Sequence, residues 1–375
     1  MSLMSPALKR QSTVIVQSSS ICAVFGENVV LIEGALASMP LEAVSEFVLV
    51  GPKALQPSSS RRRGCKKHLE IELTAANLPI ARDYLSALPE GTVVLPVDEV
   101  GADFVSDLGA GKWIVTPTPS PAISKELRDK WSFFLLCRRL NIPVPQTLLH
   151  PNKESIDFDQ LASTLGLPII FKPVNESASI GVLIIESCED FEKRLLQNAA
   201  YQFAPIIAQQ FIPGVDGGVS VLASDGEILH YAIQLPSGKE IRFVHNALLL
   251  SVTTRLIKET RYSGFMNIDL RLRSEGTVEL LECNARTWAT MRAATWCGLN
   301  FIRAAVDFAR GNSSKELASL ASCSAPQTDK DMLKAIANGF MRRAAWTADQ
   351  KRIVRHFLTT IGPSLKRRML RKGTW

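Results

Sequence analysis

The sequence predicts an α/β protein with more than one domain. Its 375 residues suffice for two or three domains, and a composition of 46% apolar and 21% charged residues is typical of globular proteins. In the first third of the chain, short apolar runs about 20–40 residues apart favour buried parallel strands joined by crossover helices. The runs predicted to form these strands are TVIVQ, FVLVG, TVVLPVDEV and KWIVTPT.

Several classes of protein are disfavoured by the same sequence. No GxGxxG motif follows a predicted strand, and the seven cysteines and five histidines lack the spacing of a zinc site. No secretory signal or uninterrupted apolar stretch of about 18 residues is found. The arginine cluster in 57–67 lacks interleaved aromatic residues, so we expect a solvated loop and no nucleic-acid partner. We therefore expect a cytoplasmic protein with reduced thiols.

A proline-rich connector, TPTPSPA (116–122), is predicted to be a domain boundary. After it, Ser124 is a candidate cap for a helix that continues to Leu140. LPIIFKPV, VLIIES and APIIAQQFI are predicted strands, and GVSVLAS and ILHYAIQ a hairpin. A helix is expected near residues 246–263.

The segment MNIDLRLRSEGTVELLECN (266–284) is predicted to be a second hairpin with candidate metal ligands. If Glu275 and Gly276 form a two-residue turn, Asp269 lies opposite Glu282, and both point to one face. Two carboxylates so close repel each other, so a cation is expected between them, and magnesium accepts such oxygen ligands. The alternative is a solvated hairpin face with incidental acids.

Three further segments carry candidate ligands for phosphate and nucleotide. Lys172 lies in an otherwise apolar strand, where a buried ammonium requires an anionic partner such as phosphate. Alternatively, it is a strand-end lysine whose ammonium reaches solvent. The small residues of NESASIG (175–181) allow close approach of a backbone to phosphates. In IIAQQFIPGVD (206–216), an apolar strand is followed by a Pro-Gly turn and by Asp216, an acid suited to ribose hydroxyls.

The order of these motifs resembles that of the ATP-grasp superfamily, in particular its carboxylate–amine ligases near carbamoyl-phosphate synthase and biotin carboxylase. LRDKWSFFLLCRRLNIPVPQT resembles the Asp-Lys helix and its G-I-P-V-P-x-T segment, with Asn141 for glycine. AQQFIPGVD resembles Q-E-Y-I-P-G-x-E, with Gln210 for glutamate. VELLECNAR resembles L-E-(I)-N-P-R, with Ala285 for proline. The loop 177–181 is less rich in glycine than the family's. The resemblance covers about residues 85–310.

This resemblance implies bound ATP and Mg²⁺, or Mn²⁺ in its place. The implied metal ligands are Asp269, Glu282 and Asn284, and the implied catalytic residues are Arg286 and Lys172, with Arg286 steadying the transferred phosphoryl group. The resemblance also implies a set of nucleotide contacts, of which those to adenine are made mainly by backbone groups. The residues of this set are Lys130, Lys172, Ser177, Ser179, Gly181, Gln209, Gln210, Phe211, Ile212 and Asp216.

The implied architecture is a Rossmann-like pre-ATP-grasp domain at 1–117 followed by an α+β ATP-grasp domain at 118–325. The latter has a lid lobe at about 160–212 and a metal-binding lobe at about 213–325. The implied reaction activates a carboxylate as an acyl phosphate for attack by an amine or similar nucleophile. A kinase of the same fold and a non-catalytic ATP-binding module remain alternatives, and the substrates and a homodimer stay open.

Residues 326–375 are predicted to form a basic helical tail. From Gln327 onward, twelve Lys or Arg residues against three acidic ones give a net charge of +9, while the whole chain carries +7. Apolar residues at helical spacing make this segment amphipathic. It is predicted either to bind an anionic membrane surface or acidic partner, or to pack on the body of the protein.

Overall fold

The structure is a computed structural model that describes residues 20–40, 42–53, 65–274, 276–312, 317–320, 322–341 and 345–358. Three features predicted from the sequence lie wholly or partly outside these residues: the strand TVIVQ at 13–17, the arginine cluster at 61–63, and the end of the basic tail after Leu358.

Within the described residues, the first sheet has five parallel strands in the order β3-β2-β1-β4-β5. They are β1 (Ile21–Phe25), β2 (Glu46–Gly51), β3 (Cys65–Glu70), β4 (Val93–Pro96) and β5 (Ile114–Val115). The run ICAVF that forms β1 was not predicted. The end of the 57–67 segment was wrongly predicted to be loop, because Lys67 pairs with Val48 at the sheet edge, where charged residues are tolerated.

Three helices accompany this sheet: α1 (Val29–Ala37), α2 (Leu78–Ala87) and α3 (Glu99–Leu108). Asp98 caps α3 by accepting a 2.8 Å hydrogen bond from the N–H of Gly101. The same carboxylate accepts bonds of 2.6 and 2.7 Å from the N–H groups of Glu27 and Asn28 after β1. These bonds fix the start of α3, where Glu99 lies, at the edge of the sheet where the strands end.

The predicted helix from Ser124 to Leu140 is two helices, α4 (Pro121–Arg128) and α5 (Lys130–Arg139). Ser120, and not Ser124, caps α4, and Ser124 is buried within it. Asp129 interrupts the helix because its carboxylate accepts a 2.7 Å bond from the N–H of Ser132 and so caps α5. This break places Lys130 at the first position of α5.

In the described part of the chain, a small antiparallel sheet has four strands in the order β6-β9-β7-β8. They are β6 (Thr147–His150), β7 (Ile169–Pro173), β8 (Leu183–Ile185) and β9 (Ile206–Gln210). The helices α6 (Phe158–Leu165) and α7 (Cys188–Phe191) pack beside it, and Phe171 and Phe191 lie in their common core. The predicted strands LPIIFKPV, VLIIES and APIIAQQFI are confirmed.

A large sheet runs in the order β14-β13-β10-β11-β12-β16 among the described residues, with β15 paired to β11. Its strands are β10 (Val215–Ser224), β11 (Glu227–Ser237), β12 (Glu240–Val244), β13 (Gly264–Leu272), β14 (Val278–Asn284), β15 (Ala318–Ser319) and β16 (Cys323–Pro326). Its helices are α8 (Ala247–Glu259), α9 (Met291–Trp296) and α10 (Phe301–Ala309). Both predicted hairpins, β10–β11 and β13–β14, are present, and α8 is the helix expected near 246–263.

The described part of the tail forms α11 (Asp329–Met341) and α12 (Ala348–His356). Met332, Ile353 and Phe357 are buried in one small core beside Trp296. Arg352 bonds Glu42 at 2.6 Å, and His356 bonds Glu33 of α1 at 2.9 Å. This part of the tail therefore packs on the body. No helix among the described residues is both long and apolar enough to cross a membrane.

Candidate functional site

The β13–β14 hairpin brings its two acids together. Asp269 lies opposite Glu282, as the sequence predicts, and Asn267 lies opposite Asn284. The four side chains share one face, and the side-chain amide of Asn267 donates a 3.0 Å bond to Asp269.

The turn of this hairpin was wrongly predicted. The N–H of Arg273 bonds the carbonyl of Thr277 at 2.9 Å, so the connection has three residues and not two. That change alone would shift the register by one residue. A β-bulge lies between Leu280 and Glu282, because Leu270 pairs with Leu280 while Asp269 pairs with Glu282. The bulge restores the register at the acids.

The two carboxyl groups perturb each other strongly. Burial, followed by the charge of Glu282, raises the pKa of Asp269 to about 7. Burial would also raise the pKa of Glu282, but Lys130 and Lys172 hold it below its ordinary value. The two carboxyl groups also share a hydrogen bond. A proton or a cation is therefore needed between them.

Two buried lysines face these acids. Lys130 is 7% exposed and Lys172 is 8% exposed. The ammonium of Lys130 lies 3.4 Å from Oε2 of Glu282 and donates to the carbonyl oxygen of Glu176. Burial, with a smaller contribution from Lys130, lowers the pKa of Lys172 to about 8, although Glu282 opposes the shift. Since the described residues place no carboxylate within 4 Å of Lys172, its ammonium is available to an anionic ligand.

The lysines and acids line one cleft of about 370 Å³ between the small and large sheets. Its volume lies within the range of about 300–1,000 Å³ typical of ligand pockets. Ten of the predicted residues line it: Lys130, Lys172, Ser179, Gln209, Gln210, Phe211, Ile212, Asp216, Asp269 and Glu282.

Four predicted residues are absent from the described lining: Ser177, Gly181, Asn284 and Arg286. Ser177 and Gly181 hold the shape of the loop that carries Ser179. The carbonyl of Ser177 accepts a 3.1 Å bond from Ile180. Gly181 has a φ of +69°, and a Cβ there would lie 2.6 Å from Pro173, so a side chain would distort the loop.

The end of β9 and the segment that follows it form a second wall of the cleft. The side chain of Gln209 is buried and donates a 3.0 Å bond to Thr147. The backbone N–H of Gln210 bonds the carbonyl of Gln146 at 2.9 Å, so that donor is already engaged. Asp216 is paired with Arg271 at 3.0 Å, and this guanidinium lies over the ring of Phe211.

Asn284 and Arg286 lie behind the acid pair. Asn284 donates a 3.4 Å bond to Asp269 and accepts a 2.8 Å bond from Arg286. Arg286 also donates from Nε to Glu99 at 2.7 Å. In this arrangement Arg286 reaches Asp269 through Asn284.

Sequence reasoning missed several residues of the site. The exposed side chains of Ile180, Val182 and Ile184 line the cleft, and so do Glu176 and Leu281. The apolar residues of VLIIES on both faces of a short strand were a signal for Val182 and Ile184. Nothing in the sequence pointed to Glu99, because it meets Arg286 only through the fold.

The acid pair fits a hard divalent cation. The carboxylates of Asp269 and Glu282 supply oxygen donors, and Oδ1 of Asn284, which accepts one hydrogen bond from Arg286, has a second lone pair for a metal. Within the described residues, no group of three or more His, Cys, Asp and Glu side chains is placed to hold a metal. Oxygen atoms of a ligand would therefore have to complete the coordination, as phosphate oxygens do for magnesium.

Two family profiles match the chain. The profile described as "D-ala D-ala ligase C-terminus" matches residues 136–246, and "ATP-grasp in the biosynthetic pathway with Ter operon" matches residues 202–327. These matches confirm the predicted resemblance to the ATP-grasp superfamily. Within that superfamily the chain resembles the carboxylate–amine ligases.

Curated relatives cover part of the chain. A D-alanine–D-alanine ligase of Nitrosospira multiformis is 27% identical over 195 residues, which are 46% of this chain and 63% of that protein. A D-aspartate ligase of Enterococcus faecium is 25% identical over 220 residues, 51% of this chain and 52% of that protein. The aligned segments thus span less than two thirds of these relatives.

Solved structures share the fold over most of the chain. The N5-carboxyaminoimidazole synthetase of Staphylococcus aureus in complex with ADP has a TM-score of 0.63 at 14% identity, covering 88% of this chain and 87% of that one. An L-amino acid ligase of Bacillus licheniformis has a TM-score of 0.56 at 15% identity, covering 78% and 75%. At these identities the likeness shows the fold alone.

Proposed function

We propose that the protein is an ATP-dependent ligase that activates a carboxylate as an acyl phosphate for attack by an amine. The observation that carries this proposal is the convergence of Asp269 and Glu282 with Lys130 and Lys172 at one cleft. Two carboxylates for a metal and two buried ammonium groups are what phosphoryl transfer requires, since positioning and electrostatics supply most of its catalysis.

In this proposal, Lys130 and Lys172 contact the phosphates of ATP, and Asp269, Glu282 and Asn284 hold Mg²⁺ or Mn²⁺. The bound metal would neutralise charge on the terminal phosphate. Binding of ATP would turn the ammonium of Lys172 from an unpaired buried charge into half of an ion pair. Arg286 orients Asn284, and it would steady the transferred phosphoryl group after its guanidinium turns from Glu99 into the cleft.

The rest of the nucleotide would lie along the second wall. Adenine would contact the carbonyl of Gln210 and the backbone of Ile212, since the N–H of Gln210 is engaged by Gln146. Phe211 and Gln209 would support this wall, and Asp216 would hold the ribose. The loop with Ser177, Ser179 and Gly181 would cover the phosphates.

The proposed reaction has two steps. A carboxylate oxygen attacks the terminal phosphorus, the bond to the β-phosphate oxygen breaks, and ADP leaves. The amine nitrogen then attacks the acyl carbon, the bond from that carbon to the phosphate oxygen breaks, and phosphate leaves while the nitrogen loses a proton. We also propose the domain division at 117 and 325, with the Rossmann-like unit first and the two lobes following.

The experiment is a hydroxylamine trap. With ATP, Mg²⁺ and a panel of carboxylates, hydroxylamine should yield a hydroxamate and one ADP for each. Formation of AMP and pyrophosphate would refute the acyl-phosphate mechanism. A stable phosphorylated product would indicate the kinase alternative, and nucleotide binding without turnover the non-catalytic module.

A further inference from the structure

A row of polar side chains leads across the large sheet to Asp269. Asn267 on β13 donates a 3.0 Å hydrogen bond from Nδ2 to Oδ1 of Asp269. Oδ1 of Asn267 in turn accepts two hydrogen bonds, from the hydroxyl of Ser220 on β10 at 3.1 Å and from Nε2 of Gln234 on β11 at 3.4 Å. Thr290 donates a 3.0 Å bond to Oε1 of Gln234. Every bond in the row therefore donates toward Asp269.

The register of three neighbouring strands brings these residues together. Ser220 pairs directly with Asn267, and Gly218, two residues before Ser220, pairs with Asp269 on one side and Gln234 on the other. Since Gly218 has no side chain, Gln234 can reach across it to β13. A Cβ at Gly218 would lie 3.0 Å from Nε2 of Gln234 and 3.4 Å from Oδ1 of Asn267, the two atoms that this bond joins. The glycine therefore leaves room for the bond.

The orientation of the Asn267 amide follows from the chemistry of its neighbours. An ionised carboxylate only accepts hydrogen bonds, so the amide must present Nδ2 to Asp269 when Asp269 holds a cation. Oδ1 of Asn267 then points to Ser220 and Gln234, and both can donate to it. If the amide were turned over, its oxygen would face the carboxylate of Asp269, and the lone pairs of the two oxygen atoms would repel each other. Ser220 and Gln234 therefore hold the amide in the orientation that donates to Asp269.

This amide lies behind the proposed metal site and not in it. Asn267 is 6% exposed and Ser220 is 1% exposed. Neither is among the described residues that line the cleft, whereas Asp269 is. A buried acceptor without a donor costs free energy, so loss of both donors would leave the orientation of the amide unsupported. Any effect of these residues on a bound metal must therefore pass through Asp269.

We propose that Asn267, Ser220 and Gln234 are positioning residues of the metal site, which hold Asp269 in the orientation that binds a divalent cation. The inference rests on the proposed ligase function, because that function places the metal at Asp269. Asn284 donates to the other oxygen of Asp269 at 3.4 Å, so each carboxylate oxygen has a donor that fixes it. Residues that orient metal ligands in this way typically contribute about 10–100-fold in metal affinity.

The test measures the affinities for metal and for nucleotide separately. Mn²⁺ is titrated into the full chain with the β,γ-imido analogue of ATP at saturation, and water proton relaxation reports the metal bound to the protein. The double variant Ser220→Ala/Gln234→Met removes both donors to Asn267 with little change in the length of either side chain. Its Kd for Mn²⁺ should rise about tenfold or more, because Asp269 loses its fixed orientation. Each single variant should show a smaller rise.

A merely structural role would not separate metal from nucleotide. Without metal, the affinity of the double variant for a fluorescent ATP analogue should equal that of the wild type, because Lys130 and Lys172 are untouched. The control Gln160→Met/Ser224→Ala removes an exposed amide on α6 and a hydroxyl at the other end of β10, and should keep the Kd for Mn²⁺.

Two results would overturn the proposal: wild-type affinity for Mn²⁺ in the double variant, or an equal loss of its metal-free affinity for nucleotide. If the double variant does not fold, Gln234→Met alone decides, since the side chain of Gln234 is only partly buried. Unchanged affinity for Mn²⁺ in that single variant would then overturn the proposal.

Asp269→Asn and the hydroxylamine trap separate this inference from the proposed function. Unchanged affinity for Mn²⁺ in Asp269→Asn would refute the proposed metal site and the ligase with it. Weaker binding in Asp269→Asn, together with wild-type binding in the double variant, would refute the positioning role alone. Weaker binding in both variants, without hydroxamate formation for any carboxylate, would retain the positioning role and refute the ligase.

Discussion

Glu99, the first residue of α3, accepts a 2.7 Å hydrogen bond from Arg286, which lies 187 positions later in the chain. Arg286 donates to Asn284, and Asn284 donates to Asp269. The helix at the edge of the parallel sheet is thereby linked to the acid pair of the large sheet.

The first prediction follows from this link. Glu99→Ala should raise the Mg²⁺ concentration that gives half-maximal turnover and lower turnover by about tenfold or more, since a hydrogen bond to a charged group contributes about 1.5–3 kcal/mol. Titrating Mg²⁺ at saturating ATP measures both effects. Glu126→Gln is the control, because Glu126 pairs with Arg139 at 3.7 Å on the surface and should change neither. An unaltered Mg²⁺ requirement in Glu99→Ala would contradict the link.

The second prediction concerns the acid pair. Asp269→Asn and Glu282→Gln should each nearly abolish magnesium-dependent ATP turnover without unfolding the protein, because each removes a charged metal ligand. Steady-state ADP release measures this. Glu279→Gln in the same hairpin, where Glu279 pairs with Arg273 at 2.5 Å, should retain turnover. Full turnover in both acid-pair variants would rule out the metal site.

The same pair predicts how stability depends on pH. The pKa of Asp269 is raised to about 7 from its ordinary 3.8, so the folded state binds the proton more tightly than the unfolded state. Its contribution to stability is present below pH 4 and is lost as the pH rises through 7. Thermal melts without metal should therefore show a decline between pH 4 and 7 that Asp269→Asn reduces. Mg²⁺ should stabilise the wild type more at pH 8 than at pH 5, and an equal effect would contradict this.

The third prediction concerns Lys172. Because burial lowers its pKa to about 8, it loses charge above that pH, and ATP affinity should fall by roughly tenfold per pH unit there. Titration with a fluorescent ATP analogue measures this. Lys172→Met should bind ATP weakly at every pH yet remain at least as stable as the wild type, because a buried charge is removed. Lys153→Met, which removes a lysine outside the cleft that is bonded to the carbonyl of Asn198, should bind like the wild type. Equal ATP affinity in Lys172→Met and the wild type would refute the phosphate role.

The fourth prediction separates the two parts of the tail. A chain that ends at Pro326 should melt at a lower temperature, because Met332, Ile353 and Phe357 no longer cover the body and each such buried side chain contributes ~1.5–3 kcal/mol. A chain that ends at Leu358 should be as stable as the full chain. It should, however, no longer sediment with anionic vesicles at low salt, since residues 359–375 include five basic and no acidic residues. Equal sedimentation of both chains would exclude a membrane role for this end.

The sequence by itself determined which charged residues lie in otherwise apolar strands, and which of these residues point to the same face of the sheet. Alternation along β13 and β14 placed Asp269 and Glu282 together, and the apolar strand around Lys172 predicted its burial. These are consequences of the two-residue period of a strand and of the cost of burying an ammonium group, and both operate locally.

Only the tertiary structure decided the pairing of distant residues and the spaces between them. The bulge at Leu281 restored the register that a three-residue turn had shifted, and Glu99 met Arg286 across two sheets. The packing of α12 likewise depends on how the sheets and helices meet. Such contacts join residues far apart in the chain, so local periodicity and propensity carry no record of them, and close packing of the whole chain selects them.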